Sequence, residues 1–352
     1  MSNEDPTRGN LEIEAQAQKA EVVPDPDLVH TPPEFAISEE DVHVAQGEVI
    51  VGTSLWRDAW RRLLKNKLAV FGLIATILII VAALVGPPII KATTGYTYDY
   101  IPSDADLIKS IPPFRAADGS FSWAHPMGTD NSGRDLLARV LLGGRISLMV
   151  GIISTLVSLI IGVSYGAIAG YLGGRIDSVM MRFVDVLYSL PYIILIIVLL
   201  AMFRSSTAMG QLVLLFIALG SVSWLTMARI VRGQILSLKH QEFVLAAQAT
   251  GVSTPRIIFR HLVPNAIGPV IVYATLTIPS VMLSEAFLSF LGLGVQPPLA
   301  SWGSLAADGI NNLGIFPWQL IFPGAVMALA LFSLNFLGDG LRDALDPQMR
   351  RS

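Results

Sequence analysis

Hydrophobic and polar positions follow one another along this chain in long blocks. Six apolar runs, at about 68–90, 146–171, 181–203, 212–230, 266–291 and 318–337, are separated by polar inserts of unequal length. At 1.5 Å per residue, about 20 apolar residues cross a hydrocarbon core of about 30 Å, so each run predicts one membrane span. The fold class that follows is an all-α polytopic membrane protein with six transmembrane helices. In the second run Gly162, Gly166 and Gly170 recur at every fourth position. Such a stripe reduces one helix face to its backbone and predicts the close approach of a neighbouring helix. The third run has Asp185 near its start and Pro191 within it. An intramembrane carboxylate is a candidate for a pathway or a gate, the alternative being a pair with Arg182 or a helix cap. Pro269 and Pro279 predict a kinked or partly unwound fifth run, which also holds a second candidate carboxylate, Glu285, toward its far end.

The inserts differ in kind. Residues 1–50 hold twelve acidic and two basic residues, prolines that include Pro24, Pro26, Pro32 and Pro33, and no sustained apolar period, which predicts a disordered acidic tail. Ser54 to Lys67 alternates apolar and basic positions at helical spacing. That suits an amphipathic interfacial helix, with Trp56 and Trp60 at headgroup level and Arg57, Arg61, Arg62, Lys65 and Lys67 toward anionic lipid. A basic run can also meet nucleic acid, but the span that follows at once argues against it, and no nucleic-acid partner is expected. Residues 91–145 are polar, rich in Pro, Asp and Tyr, and belong outside the membrane; their charged end, from about Pro126, reads as an amphipathic helix lying on the outer face.

The insert at 232–264 is the most structured of the polar segments. From Gln241 to Pro264 it reads as two short helices joined at Gly251, with Phe243, Ala246, Ala247 and Thr250 at helical spacing on one face. Glycine suits the left-handed position past a helix end. Thr254 can cap the next helix, Pro255 fits its first turn, and Pro264 ends it. A turn between spans needs only a few residues, so a capped helix pair predicts a docking element.

Charge orients the spans. Fifteen Lys and Arg residues flank the runs on the side that carries the 241–264 insert and seven on the other, and the remaining two lie in the acidic tail. The positive-inside rule therefore predicts a cytoplasmic insert, both termini cytoplasmic, and residues 343–352 as a cytoplasmic C-terminus.

Composition narrows the chemistry. The chain is 53% hydrophobic and 14% charged, with a mean hydropathy of +0.59, too apolar for an ordinary soluble core. It has no cysteine, which removes disulfides, thiolate metal sites and thiol redox chemistry. The net charge of −3 joins a tail at −10 to a remainder at +7. A basic start with a short apolar core is missing, so no cleaved secretory signal is expected. No Gly-x-x-x-x-Gly-Lys-Ser/Thr run occurs, and ATP hydrolysis by that route is excluded.

Several motifs then carry a family resemblance. The insert resembles the EAA loop of ABC-transporter permeases, with Ala246, Ala247, Gly251 and Pro264 in register. Leu245, His261 and Val263 stand where that pattern has Glu, Ile and Leu. Glu242, Phe259 to His261 and Asn265 are similar to the dipeptide/oligopeptide/nickel branch. So are Gly128, Asp130, Gly133, Arg134, Asp135, Arg139, Gly144, Arg145 and Ser147, ahead of and into the second run. Asp185 with Pro191, the run from Glu285 to Gly303, and Asn335 to Pro347 resemble further pieces of that branch.

The resemblance implies a permease subunit of an ATP-driven importer of peptides or a related small solute, in the inner membrane of a prokaryote. It implies a second homologous permease, two ABC ATPase subunits holding ATP and Mg, and an extracytoplasmic substrate-binding protein as partners. No cofactor or metal is expected in this chain. The implied ATPase-coupling loop comprises Glu242, Ala246, Ala247, Gly251, Arg256, His261 and Pro264. The rival readings are a secondary transporter and an intramembrane enzyme using Asp185 or Glu285, though few charges lie deep in the runs.

Overall fold

The computed structural model describes residues 55–103, 109–203 and 205–345. The expected acidic tail and the last seven residues lie outside them. Among the described residues there is no strand, only two isolated bridges, and five helices are long and apolar enough to cross a membrane; a bent helix pair makes up to six.

Helix α1 (Leu55–Lys65) is amphipathic, with Ala59 and Leu63 buried against Leu337, Leu341 and Ala344 while Trp60, Arg57 and Arg61 face outward. Asn66 ends it and caps the next helix, accepting from the amides of Leu68 and Ala69 at 3.1 and 3.3 Å. Helix α2 (Lys67–Thr94) runs past the predicted boundary at 90 and stops at Gly95, whose φ of 76° is left-handed. Its wide apolar surface, including Leu78, Leu84 and Ile89, remains exposed, as a lipid-facing helix requires.

Helix α3 (Leu136–Leu172) corrects the sequence reading. The charged stretch expected to lie flat on the membrane becomes, from Leu136 on, the first turns of the second span. The reason is neutralisation. Asp135 caps the helix through the amide of Ala138 at 2.7 Å, and Asp130 accepts from both Arg134 and Arg139, the latter only 3% exposed. Paired, these charges no longer need the water that a surface helix would offer.

The predicted third span, 181–203, is also corrected. It is two helices, α4 (Gly174–Ser189) and α5 (Tyr192–Met202), bent by 83°. Pro191 has no N–H for a helical bond and holds Leu190 extended at φ −80° and ψ 138°. Helix α6 (Ala208–Leu238) returns, and its backbone lies against the glycine stripe of α3. A Cβ on Gly162 would meet the Trp224 carbonyl at 2.9 Å, one on Gly166 would overlap the Ala228 carbonyl, and one on Gly170 would meet the Arg232 carbonyl at 2.9 Å.

After the insert, α7 (Glu242–Ala249) and the composite α8, comprising Thr254–Arg256, a π-helical turn Ile257–Leu262 and Val263–Asn265, lead into α9 (Ile267–Phe290). Helix α9 is not unwound at Pro279, and Pro269 sits in its first turn, where the missing N–H has no intrahelical partner to lose. A loop and the short α10 (Trp302–Ile310), closed by a reciprocal Ser301/Ser304 capping box, precede α11 (Trp318–Leu345). Helix α11 lies along α2, with Gly72 beneath Ser333 and Gly340 against Ala69.

Candidate functional site

Two features carry chemistry, and the first is the 241–264 insert. Helix α7 ends in a Schellman motif: the Gly251 amide donates to Gln248 O and the Val252 amide to Ala247 O, both at 3.0 Å, around Gly251 at φ 76°. Nothing lies within 4 Å of a Cβ built at Gly251, so the glycine is required by conformation and not by space. Ser253, not Thr254, occupies the cap position of the following helix, and no side chain caps it there.

Pro264 does not end the second helix, as its sequence predicts. The preceding π-helical turn widens the backbone, with Val263 N donating to Ile258 O five residues back, and Pro264 sits just after it. A proline ring clashes with the carbonyl four residues earlier in a regular α-helix, and the wide turn relieves that clash. Asn265 then closes the joint, its side-chain amide donating to His261 O at 2.6 Å.

The insert has a root and an open face. Val244, Ala247, Ile257, Ile258 and Leu262 are buried in one cluster with Ala167 of α3 and Met227, Val231 and Ile235 of α6. Ala247 therefore turns inward, while Ala246, on the preceding position, remains outside; the shared small-residue face expected from spacing is divided between the two sides. The open side carries Glu242, Phe243, Leu245, Ala246, Gly251, Arg256, Phe259 and Pro264, with His261 half-buried. Gln248 ties the insert to the end of α3 by donating to the Tyr171 hydroxyl at 3.2 Å.

The second feature is a partly open cavity of about 950 Å³ where the α4/α5 break meets α6 and α9. Its lining is apolar with hydroxyls and no charge: Tyr188, Ser189 and Tyr192 from the break, Ser223 and Thr226 from α6, and Tyr273, Thr277, Ser280 and Ser284 along α9. The α9 hydroxyls recur at helical spacing, a signal present in the sequence that the reading above missed.

Neither candidate carboxylate lines this space. Glu285 is 1% exposed, and its Oε1 accepts from the Ser289 and Ser301 hydroxyls at 2.7 Å each, a tie between α9 and the start of α10. Asp185 lies one turn from the cavity wall, exposed, and its partner is Arg229 of α6 at 2.7 Å, not Arg182. The Arg229 guanidinium also stacks 4.2 Å from the ring of Tyr188, which does line the cavity. A second pair joins the same two helices, Arg232 donating from Nε and Nη2 to the two carboxylate oxygens of Asp177. Among the described residues, no group of His, Asp and Glu is placed to hold a metal ion.

Comparison with known proteins gives this architecture its class. Residues 162–351 match the family described as binding-protein-dependent transport system inner membrane component, and residues 54–113 match the N-terminal TM domain of oligopeptide transport permease C. The oligopeptide transport system permease protein OppC of Escherichia coli K12 is 49% identical over 301 residues, covering 86% of this chain and 94% of that protein. The OppC protein of Bacillus subtilis is 44% identical over 298 residues, covering 85% and 91%. The dipeptide transport system permease protein DppC of the same organism is 43% identical over 321 residues, covering 90% and 93%. Among solved structures, inward-facing conformations of the MetNI methionine ABC transporter align with a TM-score of 0.47 at 18% identity, over 60% of this chain and 96% of that one. The chain belongs to the binding-protein-dependent inner-membrane permease family, and within it to the C-type permeases of the oligopeptide and dipeptide systems. It is accordingly a multi-pass inner-membrane protein and a transport component, not an enzyme.

Proposed function

We propose that this chain is one of two permease subunits in an ATP-driven importer of peptides. It forms one wall of the pathway along the cavity between the α4/α5 break, α6 and α9. It receives the stroke of partner ATPase subunits through the insert. The observation that carries the coupling is the rooting of the insert: its inner face shares one apolar cluster with α6, while Glu242, Leu245, Ala246 and Arg256 stay open for a partner. A displacement imposed on the open face is carried into α6, whose Ser223 and Thr226 line the cavity.

The partners in this reading are a second, homologous permease that closes the cavity, two ABC ATPase subunits that hold ATP and Mg, and an extracytoplasmic binding protein that delivers the peptide. Both termini and the insert lie in the cytoplasm, on the excess of Lys and Arg flanking that side. Asp185, Arg229 and Tyr188 form a latch at the cytoplasmic end of the cavity, holding the broken span to α6 until the stroke opens it.

The test uses the absence of cysteine from the chain. A single cysteine at Ala246, in the assembled complex, should crosslink to a copurified ATPase subunit and be shielded from a membrane-impermeant maleimide unless the cytoplasmic side is opened. Failure to crosslink to any ATPase, with uptake intact, removes the insert from the coupling path. Labelling from outside intact cells overturns the orientation.

A further inference from the structure

Residues 114–123, between the first and second spans, form a small hairpin that the transport reading leaves without a role. Its two arms are joined by the amides of Phe114, Ala116 and Ser122, which donate to His125, Ser120 and Phe114 carbonyls at 3.0, 2.9 and 3.0 Å. Three large rings stand on it in the open: Trp123 is 72% exposed, Phe121 65% and Phe114 36%. They pack on one another, Phe114 parallel to Phe121 at 6.3 Å and both edge-on to Trp123 at 5.2 and 5.6 Å. Leaving such a trio in water is unfavourable, and exposed apolar patches mark surfaces that meet something.

The position of the hairpin says what it meets. Its base is held at the ends of three membrane-crossing helices. His125 stacks on Tyr96, just past the end of α2, at 4.9 Å and bonds Asp135, the cap of α3, at 2.8 Å. Thr129 O accepts from Trp318 and Gln319, the first residues of α11, at 3.3 and 3.1 Å. Leu84, Val85 and Ile89 near the same end of α2, and Tyr100 and Ile101 beyond it, are exposed apolar residues too.

Charge on the hairpin is sorted the same way. Arg115 reaches to the turn and donates to Gly119 O at 2.7 Å, and Asp118 at the turn accepts from the Ser120 hydroxyl and amide at 2.6 and 2.9 Å. Those bonds, the hydroxyl's first, hold the Asp118 carboxyl below the usual carboxylate range, so the tip stays ionised. Rings toward the helix ends with charges at the far turn is the order of an element lying in a membrane interface, where Trp and Phe are favoured at headgroup depth and ions in water.

We propose that the 114–123 hairpin is an interfacial anchor whose partner is the lipid headgroup layer, with Phe114, Phe121 and Trp123 seated in it and the Arg115/Asp118 turn in water. The anchor fixes the 109–135 segment against the bilayer at the mouth of the spans.

Because the chain lacks cysteine, single replacements Phe121→Cys, Trp123→Cys and Asp118→Cys, at exposed positions, each give it one spin-label site, read in a complex with cysteine-free partner subunits in nanodiscs of phosphatidylethanolamine and phosphatidylglycerol. Collision with oxygen relative to a water-soluble nickel chelate should be about twofold or more higher at 121 and 123 than at 118. Equal ratios at the three sites overturn the proposal, since the hairpin then stands in water. Shielding of 121 and 123 from both reagents overturns it too, since a protein then covers the rings. As a check without labels, brominated lipid should quench the wild-type chain more than Trp123→Phe; equal quenching counts against the anchor.

Discussion

Gly166 and Gly251 need glycine for opposite physical reasons. At Gly166 the backbone of α6 occupies the space a Cβ would take, so Gly166→Ala should destabilise the chain by about 1–3 kcal/mol, and Gly166→Leu should abolish stable assembly. Thermal unfolding in detergent and complex yield measure both. At Gly251 the surroundings are open and only the left-handed backbone objects, at about 1 kcal/mol for a Cβ and more for a β-branched side chain. Gly251→Val should therefore leave insertion intact while weakening ATPase copurification and uptake, and Gly251→Asn should retain both. Glu285 supplies a third contrast. Glu285→Ala removes the shared acceptor of two buried hydroxyls and should destabilise by about 1–3 kcal/mol, whereas Glu285→Gln keeps an acceptor and uptake. A pathway carboxylate would give the reverse order, with uptake lost in the Gln variant of normal stability. At this scale the sequence was legible where a residue has a single conformational use, as at Gly251. It was not legible for Glu285, whose helical neighbour Ser289 is joined by Ser301 only through the loop after α9.

At the scale of elements, the α4/α5 break and the insert have the largest consequences. The two ion pairs between α4 and α6 are of unequal kind. Asp185 is open to solvent and Arg229 only half-buried, and pairs this accessible to water contribute about 1 kcal/mol at most. Arg229→Gln should thus hardly alter unfolding temperature or ATPase copurification. If the pair is a latch, the variant should raise ATP hydrolysis in the absence of peptide and lower the uptake per ATP; unchanged coupling would reduce the pair to ornament on the surface. The apolar runs predicted which elements exist, because burial in lipid writes a long continuous signal. They did not predict the bend at Leu190, because hydropathy is blind to direction and Pro191 is compatible with either a kink or a full break. Nor did spacing alone divide Ala246 from Ala247: both lie near one face of an isolated helix, and only the α3 and α6 cluster decides which turns inward.

For the whole molecule, the acidic tail is the part with least to bury. On its acidic, proline-containing composition we propose that removal of residues 1–50 leaves complex yield and uptake near wild type. A marked fall in either would mean that the tail docks on the complex. The described residues, by contrast, are tied together by one element. Helix α3 spans 37 residues, about 55 Å, roughly twice what the hydrocarbon layer demands. It starts at the Asp135 cap beside the 109–135 segment and finishes where Tyr171 meets Gln248 of the insert. A rod of that length needs no relay of side chains to report across the bilayer. Rocking it by about 10° about its centre carries each end some 5 Å, in opposite directions. A rigid tilt of α3 would therefore couple its two ends by leverage alone.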